Sequence, residues 1–192
     1  MIKIGKKKIG DNYPTYITFE IGPTHNGFDS CLRYIDYTCL AKADAIKIQM
    51  VDAERLISNK KQLFEFGYLS KNKKKIKQKK ESLYKILKRR ELKKNDIARL
   101  KKVAEKKGIE FFCTVFFEDD IDFVKDIGCQ TIKIASADLN YVQLLKKAAK
   151  SGLSIQIDTG MSSLREIYDA VKIIQSEKNN KIIIHHCPSG YP

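Results

Sequence analysis

Nowhere in these 192 residues is there an apolar run approaching the roughly 20 residues that a membrane-spanning helix needs. The N-terminus, MIKIGKKKIG, also lacks the longer apolar core of a secretion signal. The expected location is the cytoplasm, with no membrane association. CxxC and other metal-ligand spacings are absent, and the five cysteines (Cys31, Cys39, Cys113, Cys129 and Cys187) are an odd number. They read as reduced and mostly buried. Cys113 and Cys187 lie near strand ends where a thiol can do chemistry, but cysteines in such apolar runs more often pack in cores.

What is present fits one domain over residues 1–192, long enough for a sizeable core, with 43% apolar and 9% aromatic residues. The net charge of +14 points to an anionic partner, either nucleic acid or an anionic small molecule. Seven of the lysines crowd into residues 71 to 80, KNKKKIKQKK, and no aromatic residue interrupts that run for base stacking. Nucleic acid is therefore not the expected partner, and a solvated lysine-rich loop is.

Six short apolar runs each end in a polar cluster: YITFEIGPTHNG, AIKIQM, EFFCTVFF, TIKIASADLN, SIQIDTGMSS and KIIIHHCPSGYP. Helical patterns separate them, so the chain reads as repeated βα units with crossovers long enough for parallel pairing. Residues 51 to 80 read as an irregular basic excursion after the second strand. Helices are expected over Ser82 to Arg90, then from a cap at Asn95 to a stop at Gly108, and over 140–151 and 163–177; strands are expected at 111–114, 131–135, 154–158 and 182–186. Ser163 with Glu166 makes a capping box, and Glu118, Asp119 and Asp120 read as capping charges at a helix N-terminus. The first turn, GPTHNG, is no GxGxxG, which argues against a doubly wound nucleotide-binding sheet. Polar groups at every strand end favour a TIM (β/α)8 barrel, here incomplete with about six parallel strands.

Three kinds of residue in these clusters suit catalysis. Glu20 closes the first run, where a partly buried carboxylate with a raised pKa would suit general acid or base work. Lys47 and Lys133 each stand between two isoleucines of an apolar run, an uncomfortable place for an ammonium unless an anion meets it. Thr114, Ser136, Thr159, Ser162 and Ser189 add hydroxyls at strand ends. Lysines, hydroxyls and helix N-termini together suit a phosphate or a phosphate plus carboxylate.

The strings FEIGPTHNG, IKIQM, GIEFFCTVF, IKIASADLN, IDTGMSSLREIYDAV and IIIHHCPSGYP, in this order from about Tyr16 to Pro192, closely resemble the N-acetylneuraminate (sialic acid) synthase family with its legionaminate and pseudaminate synthase relatives. The resemblance implies a TIM-barrel transferase of carbohydrate biosynthesis that condenses phosphoenolpyruvate with an N-acetylated hexose into a nine-carbon 2-keto sugar acid. It implies that Lys47, Lys133, Thr114 and Ser136 hold phosphoenolpyruvate, that Glu20 is the catalytic acid or base, and that Gln49, Asp138, Ser189 and Tyr191 contact the ligands. Asp158 counts among the substrate-binding positions too, standing where family members commonly have a phosphate-contacting serine, and Asp138 stands where a glutamate is usual.

The resemblance also implies a divalent ion, Mn or Mg, whose two histidine ligands come from strands after the HC…YP motif. Neither those ligands nor the small C-terminal antifreeze-like domain is in this sequence, so the chain is expected to be truncated and incomplete alone. A homodimer is the expectation for the complete family member. Two other readings stay open: an octulosonate- or heptulosonate-phosphate type of synthase, against which the HCPSGYP ending argues, and a non-catalytic basic protein that holds an anionic polymer through residues 71 to 80.

Overall fold

A computed structural model describes residues 1–70 and 75–188. Six strands form one parallel sheet: β3 (Thr18–Gly22), β4 (Ala45–Gln49), β7 (Glu110–Val115), β8 (Thr131–Ile134), β9 (Ser154–Asp158) and β10 (Ile182–His185), in the spatial order β10-β9-β8-β7-β4-β3. Each strand lies beside the next one in the chain that joins this sheet. The sheet curls as half of a barrel, and among the described residues β3 and β10 are its outer strands. This is the incomplete parallel barrel expected from the sequence.

Side chains alternate between the two faces of each strand, and the face that meets the helices is apolar. Ile46, Ile48, Phe111, Cys113, Val115, Ile132, Ile134, Ile155 and Ile157 all point there and are buried. Against them pack α1 (Phe28–Leu40), α4 (Lys94–Lys106), α5 (Glu118–Asp126), α6 (Val142–Lys150) and α7 (Leu164–Ser176). Each helix turns a stripe at three- and four-residue spacing toward the sheet, such as Ile97, Leu100 and Ala104 in α4 or Leu144, Leu145 and Ala148 in α6. The opposite, concave face carries the polar residues, so the core leaves that face free for chemistry.

Helix ends follow local chemistry. The capping box of α7 is present: Ser163 Oγ accepts from the Glu166 N–H, and the Glu166 carboxylate accepts from the Ser163 N–H at 2.8 Å. Asp120 caps α5 by accepting from the backbone N–H groups of Phe116 and Phe117, while Asp119 takes a two-pronged ion pair from Arg55. Asn95 is not the cap of α4. That helix starts two residues earlier than a cap at Asn95 would give, at Lys94 with Lys93 at the cap, and Asp96 supplies the first-turn carboxylate.

Two hairpins were not read from the sequence. The first, β1 (Ile2–Ile4) with β2 (Lys7–Ile9), turns through Gly5 at φ 54° and lies against the N-terminal end of the sheet. There Ile4 is fully buried and Lys3 O accepts from Ser154 Oγ at 3.5 Å. The second replaces the expected irregular excursion. After a single helical turn, α2 (Ala53–Leu56), strands β5 (Leu63–Leu69) and β6 (Ile76–Ser82) pair antiparallel, and α3 (Leu83–Lys88) follows from the Ser82 cap. The rings of Phe64, Phe66 and Tyr68 and the β-branched Ile76 favour extended backbone in β5 and β6, while the neighbouring charge run masks this in a reading by composition.

Ile132 is a fully buried link between sheet and helices, whereas Ser163 acts at a surface cap. In urea denaturation Ile132→Ala should cost about 2–5 kcal/mol and Ser163→Ala about 1 kcal/mol. A cost below about 1 kcal/mol for Ile132→Ala would contradict the core assigned here.

Candidate active site

Strand register brings the chemistry-bearing residues onto one face. Glu20 lies beside Lys47, Gln49 beside Thr114, Thr114 beside Lys133, Lys133 beside Gln156, and Asp158 beside His185. Partners in a parallel ladder point to the same side of the sheet, so these side chains converge on the concave surface. A kink sharpens the first strand: the ladder slips one residue between Glu20 and Gly22, and Gly22 sits at φ 40°. A Cβ at Gly22 would stand 3.1 Å from Glu20 Oε1 and 3.3 Å from Gln49 Nε2. Glycine here lets the two side chains lie close over the turn.

Lys47 is the centre of the cluster. It is 4% exposed; its ammonium donates to Thr114 Oγ1 at 3.1 Å and pairs with the Glu20 carboxylate. Burial, followed by the neighbouring Lys133 ammonium, pulls its pKa from 10.5 down to about 7, against the upward pull of Asp158. Lys133 is half-buried and pairs with Asp158. Both interior lysines thus meet an anion, and in each case it is a carboxylate of this chain. Asp158 is the counter-charge of Lys133 rather than a stray negative charge on the face.

Glu20 is partly buried, as expected: its side chain is 47% exposed, on a strand that is an outer one of the sheet among the described residues. Ser136 and Asp138 bound a single 3-10 turn (Ser136–Asp138) that follows β8, where burial pushes the Asp138 carboxyl up. Thr159 Oγ1 donates to His185 O at 3.0 Å, tying the end of β9 to β10. Ser189 and Tyr191 lie outside the described residues. Cys113 is fully buried on the helix side, with its thiol pushed up by burial and by Cys129, and the Cys187 sulfur accepts from the Gly160 N–H at 3.4 Å. Both cysteines serve packing and turn structure.

The sequence reading gave no role to three further residues at this face. His185 Nε2 lies 2.8 Å from Gln156 Oε1, and Gln156 Nε2 donates to Thr131 Oγ1 at 3.1 Å. Burial holds the His185 pKa below 6.5, opposed by Asp158 and reinforced by the two lysines. A cavity of about 370 Å³ opens between this row and the N-terminal segment, lined by Tyr16, Thr18, Gln156, Ile183 and His185 among others. His25 is the third: it is fully buried in the GPTHNG turn, its Nδ1 accepts from the Gly27 N–H at 3.2 Å, and its Nε2 has no partner among the described residues. Burial and the nearby Arg90 lower its pKa. The period-2 position of Gln156 and the place of His25 in a strand-end cluster were the available signals. A larger cavity of about 560 Å³ lies at the opposite, N-terminal end of the strands, away from both lysines.

The described residues do not fit a divalent ion. No three His, Cys, Asp or Glu side chains come together among the described residues, and His185 is engaged with Gln156 while His186 is exposed. No step through a metal is derived from this chain.

A curved parallel β/α sheet with two lysines, a carboxylate at each and hydroxyls near the strand C-terminal ends defines a barrel-type protein with its site at the usual pole. The chain belongs to the NeuB family, whose model matches residues 34–192. It is 35% identical to an N-acetylneuraminic acid (sialic acid) synthetase from Leptospira borgpetersenii solved with citrate, with a TM-score of 0.83 over 100% of this chain and 60% of that one. It is 30% identical to the N,N'-diacetyllegionaminic acid synthase of Legionella pneumophila over 98% of this chain and 52% of the relative. A truncated heptulosonate-phosphate synthase from Thermotoga maritima shares the fold, with a TM-score of 0.66 at 17% identity, covering 95% of this chain and 54% of that one. The chain spans about half the length of the curated relatives it matches.

The low pKa of Lys47 makes a signed prediction. Between about pH 7 and 10.5 the folded chain lacks a proton that the unfolded chain holds, so stability from this site rises with pH, by at most about 1.4 kcal/mol per unit. Urea titrations across that window should show the rise in the wild type and lose it in Lys47→Met. An identical pH slope in both proteins would sink the assignment.

Proposed function

We propose that this chain carries the donor half of a phosphoenolpyruvate-dependent synthase that joins three carbons to an N-acetylated hexose, giving a nine-carbon 2-keto sugar acid. One observation supports this most: Lys47 and Lys133 share one polar face with Thr114, each charge held by an internal carboxylate that an incoming anion can relieve. Family membership and the activities for which its relatives are named support the same reaction class.

In this reading the two ammonium groups and the Thr114 hydroxyl take the phosphate and carboxylate of phosphoenolpyruvate, where charge-assisted hydrogen bonds are strongest. Ser136 and Gln49 border them, with Ser189 and Tyr191 following β10 in sequence. An anion beside Lys47 restores its proton, since the charge that burial disfavours gains a partner. Glu20, displaced from Lys47 and open to solvent on one side, is then placed to move a proton at the acceptor's carbonyl oxygen or to the water that adds at C2. Asp158 holds Lys133 in position and sets how much positive charge remains for the donor phosphate. A divalent ion, a homodimer and a cytoplasmic location complete the proposal for the longer family member; no described helix is long and apolar enough to cross a membrane.

The heptulosonate-phosphate reading rests on the fold alone. No described contact favours it over the family to which the chain belongs.

Titration calorimetry with phosphoenolpyruvate tests the proposal directly. Affinity should fall as pH rises through 7 to 9, because Lys47 gives up its proton in that range. Lys133→Met should weaken binding at least tenfold, while Glu20→Gln should change it less than threefold. Binding that ignores pH and survives Lys133→Met would remove the lysine face as the donor site.

A further inference from the structure

The hairpin of β5 and β6 is exposed along almost its whole length on both faces, with Leu63, Phe64, Tyr68, Leu69 and Ile76 all open to solvent. A two-stranded ribbon gains little stability by itself, and this one buries few of its large side chains. Its composition therefore asks for another cause.

Antiparallel pairing changes the meaning of the lysine run. Phe64 faces Glu81, Phe66 faces Lys79 and Tyr68 faces Lys77, so one face of the ribbon carries three rings from β5 alternating with the charged side chains of β6. The rings of Phe64 and Phe66 lie 6.3 Å apart and within 21° of parallel. Glu81, the one acid of that face, is neutralised internally by Lys79 at 3.3 Å and by Arg89. Lys77 has no carboxylate partner among the described residues, and the Glu65 to Lys80 pair lies on the other face. The linear sequence lacks rings between its lysines, but the folded ribbon supplies them.

We propose that this face binds single-stranded nucleic acid, with bases stacked on Phe64, Phe66 and Tyr68 and phosphates on Lys77 and Lys79. Rings at every second residue, open to solvent at Phe64 and Tyr68 and partly open at Phe66, stand beside ammonium groups and form a platform that tolerates any base because each base offers a π-face. Charge complementarity selects a polyanion over a protein or neutral partner. The flat rings select a polyanion with planar, aromatic repeats over an acidic glycan. The assignment is independent of the donor site, since none of its residues belongs to that cluster.

Fluorescence anisotropy with a labelled 15-nucleotide poly-dT strand, on the full chain at two salt concentrations, tests this. The triple variant Phe64→Ala, Phe66→Ala, Tyr68→Ala should lose at least tenfold in affinity with little change in salt slope. Lys77→Gln with Lys79→Gln should reduce that slope by roughly 1.4, about 0.7 for each phosphate contact. Both variants should keep the wild-type phosphoenolpyruvate affinity, because the altered side chains lie outside the lysine cluster, and the lysine variant should keep the wild-type melting temperature, because Lys77 and Lys79 are exposed. A chain that fails to bind the strand, that loses nothing with the rings, or that binds heparin or duplex DNA as tightly through the lysines alone overturns the proposal.

Discussion

Two ammonium groups share the polar concave face of a sheet whose other face is packed apolar, and the rest of the site is arranged to make that tolerable. An isolated ammonium buried among isoleucines would cost several kcal/mol. Thr114 and Glu20 answer Lys47, and Asp158 answers Lys133. Burial, helped by the Lys133 charge, still outweighs these partners and brings the Lys47 pKa down to about 7. A site held near balance responds to an anion by changing protonation, and this connects burial in the fold to ligand binding.

The fold supplies this constraint through register alone. Because parallel neighbours point their side chains the same way, a single slip of one strand would turn Lys47 or Lys133 into the helix layer. The isoleucines on either side of each lysine prevent such a slip, since their burial fixes which face is the core. Hydrophobic packing and site geometry are consequently the same specification, written in alternate residues of IKIQM and TIKIA.

Much of this was legible in advance. The βα repeat, the capping box at Ser163 and the need of both strand lysines for an anionic partner follow from periodicity and local chemistry. Three things were not. The contact of His185 with Gln156 depends on β9 and β10 being neighbours, which neither segment reveals. The role of Asp158 required knowing that β8 and β9 are neighbours, which no single run reveals. The β5 to β6 hairpin was hidden because its rings and its lysines lie on different strands, and only pairing brings them together. Local signals were read well, and long-range juxtapositions were not.

The central claim is that the lysine face is an anion site poised by a depressed Lys47. Proton uptake on ligand binding measures this most directly, by calorimetry of phosphoenolpyruvate binding at pH 8 in buffers of different ionisation enthalpy. The account predicts uptake approaching one proton per ligand at pH 8 and much less at pH 6, with the uptake absent in Lys47→Met. Binding enthalpies that do not depend on the buffer at pH 8 would contradict it.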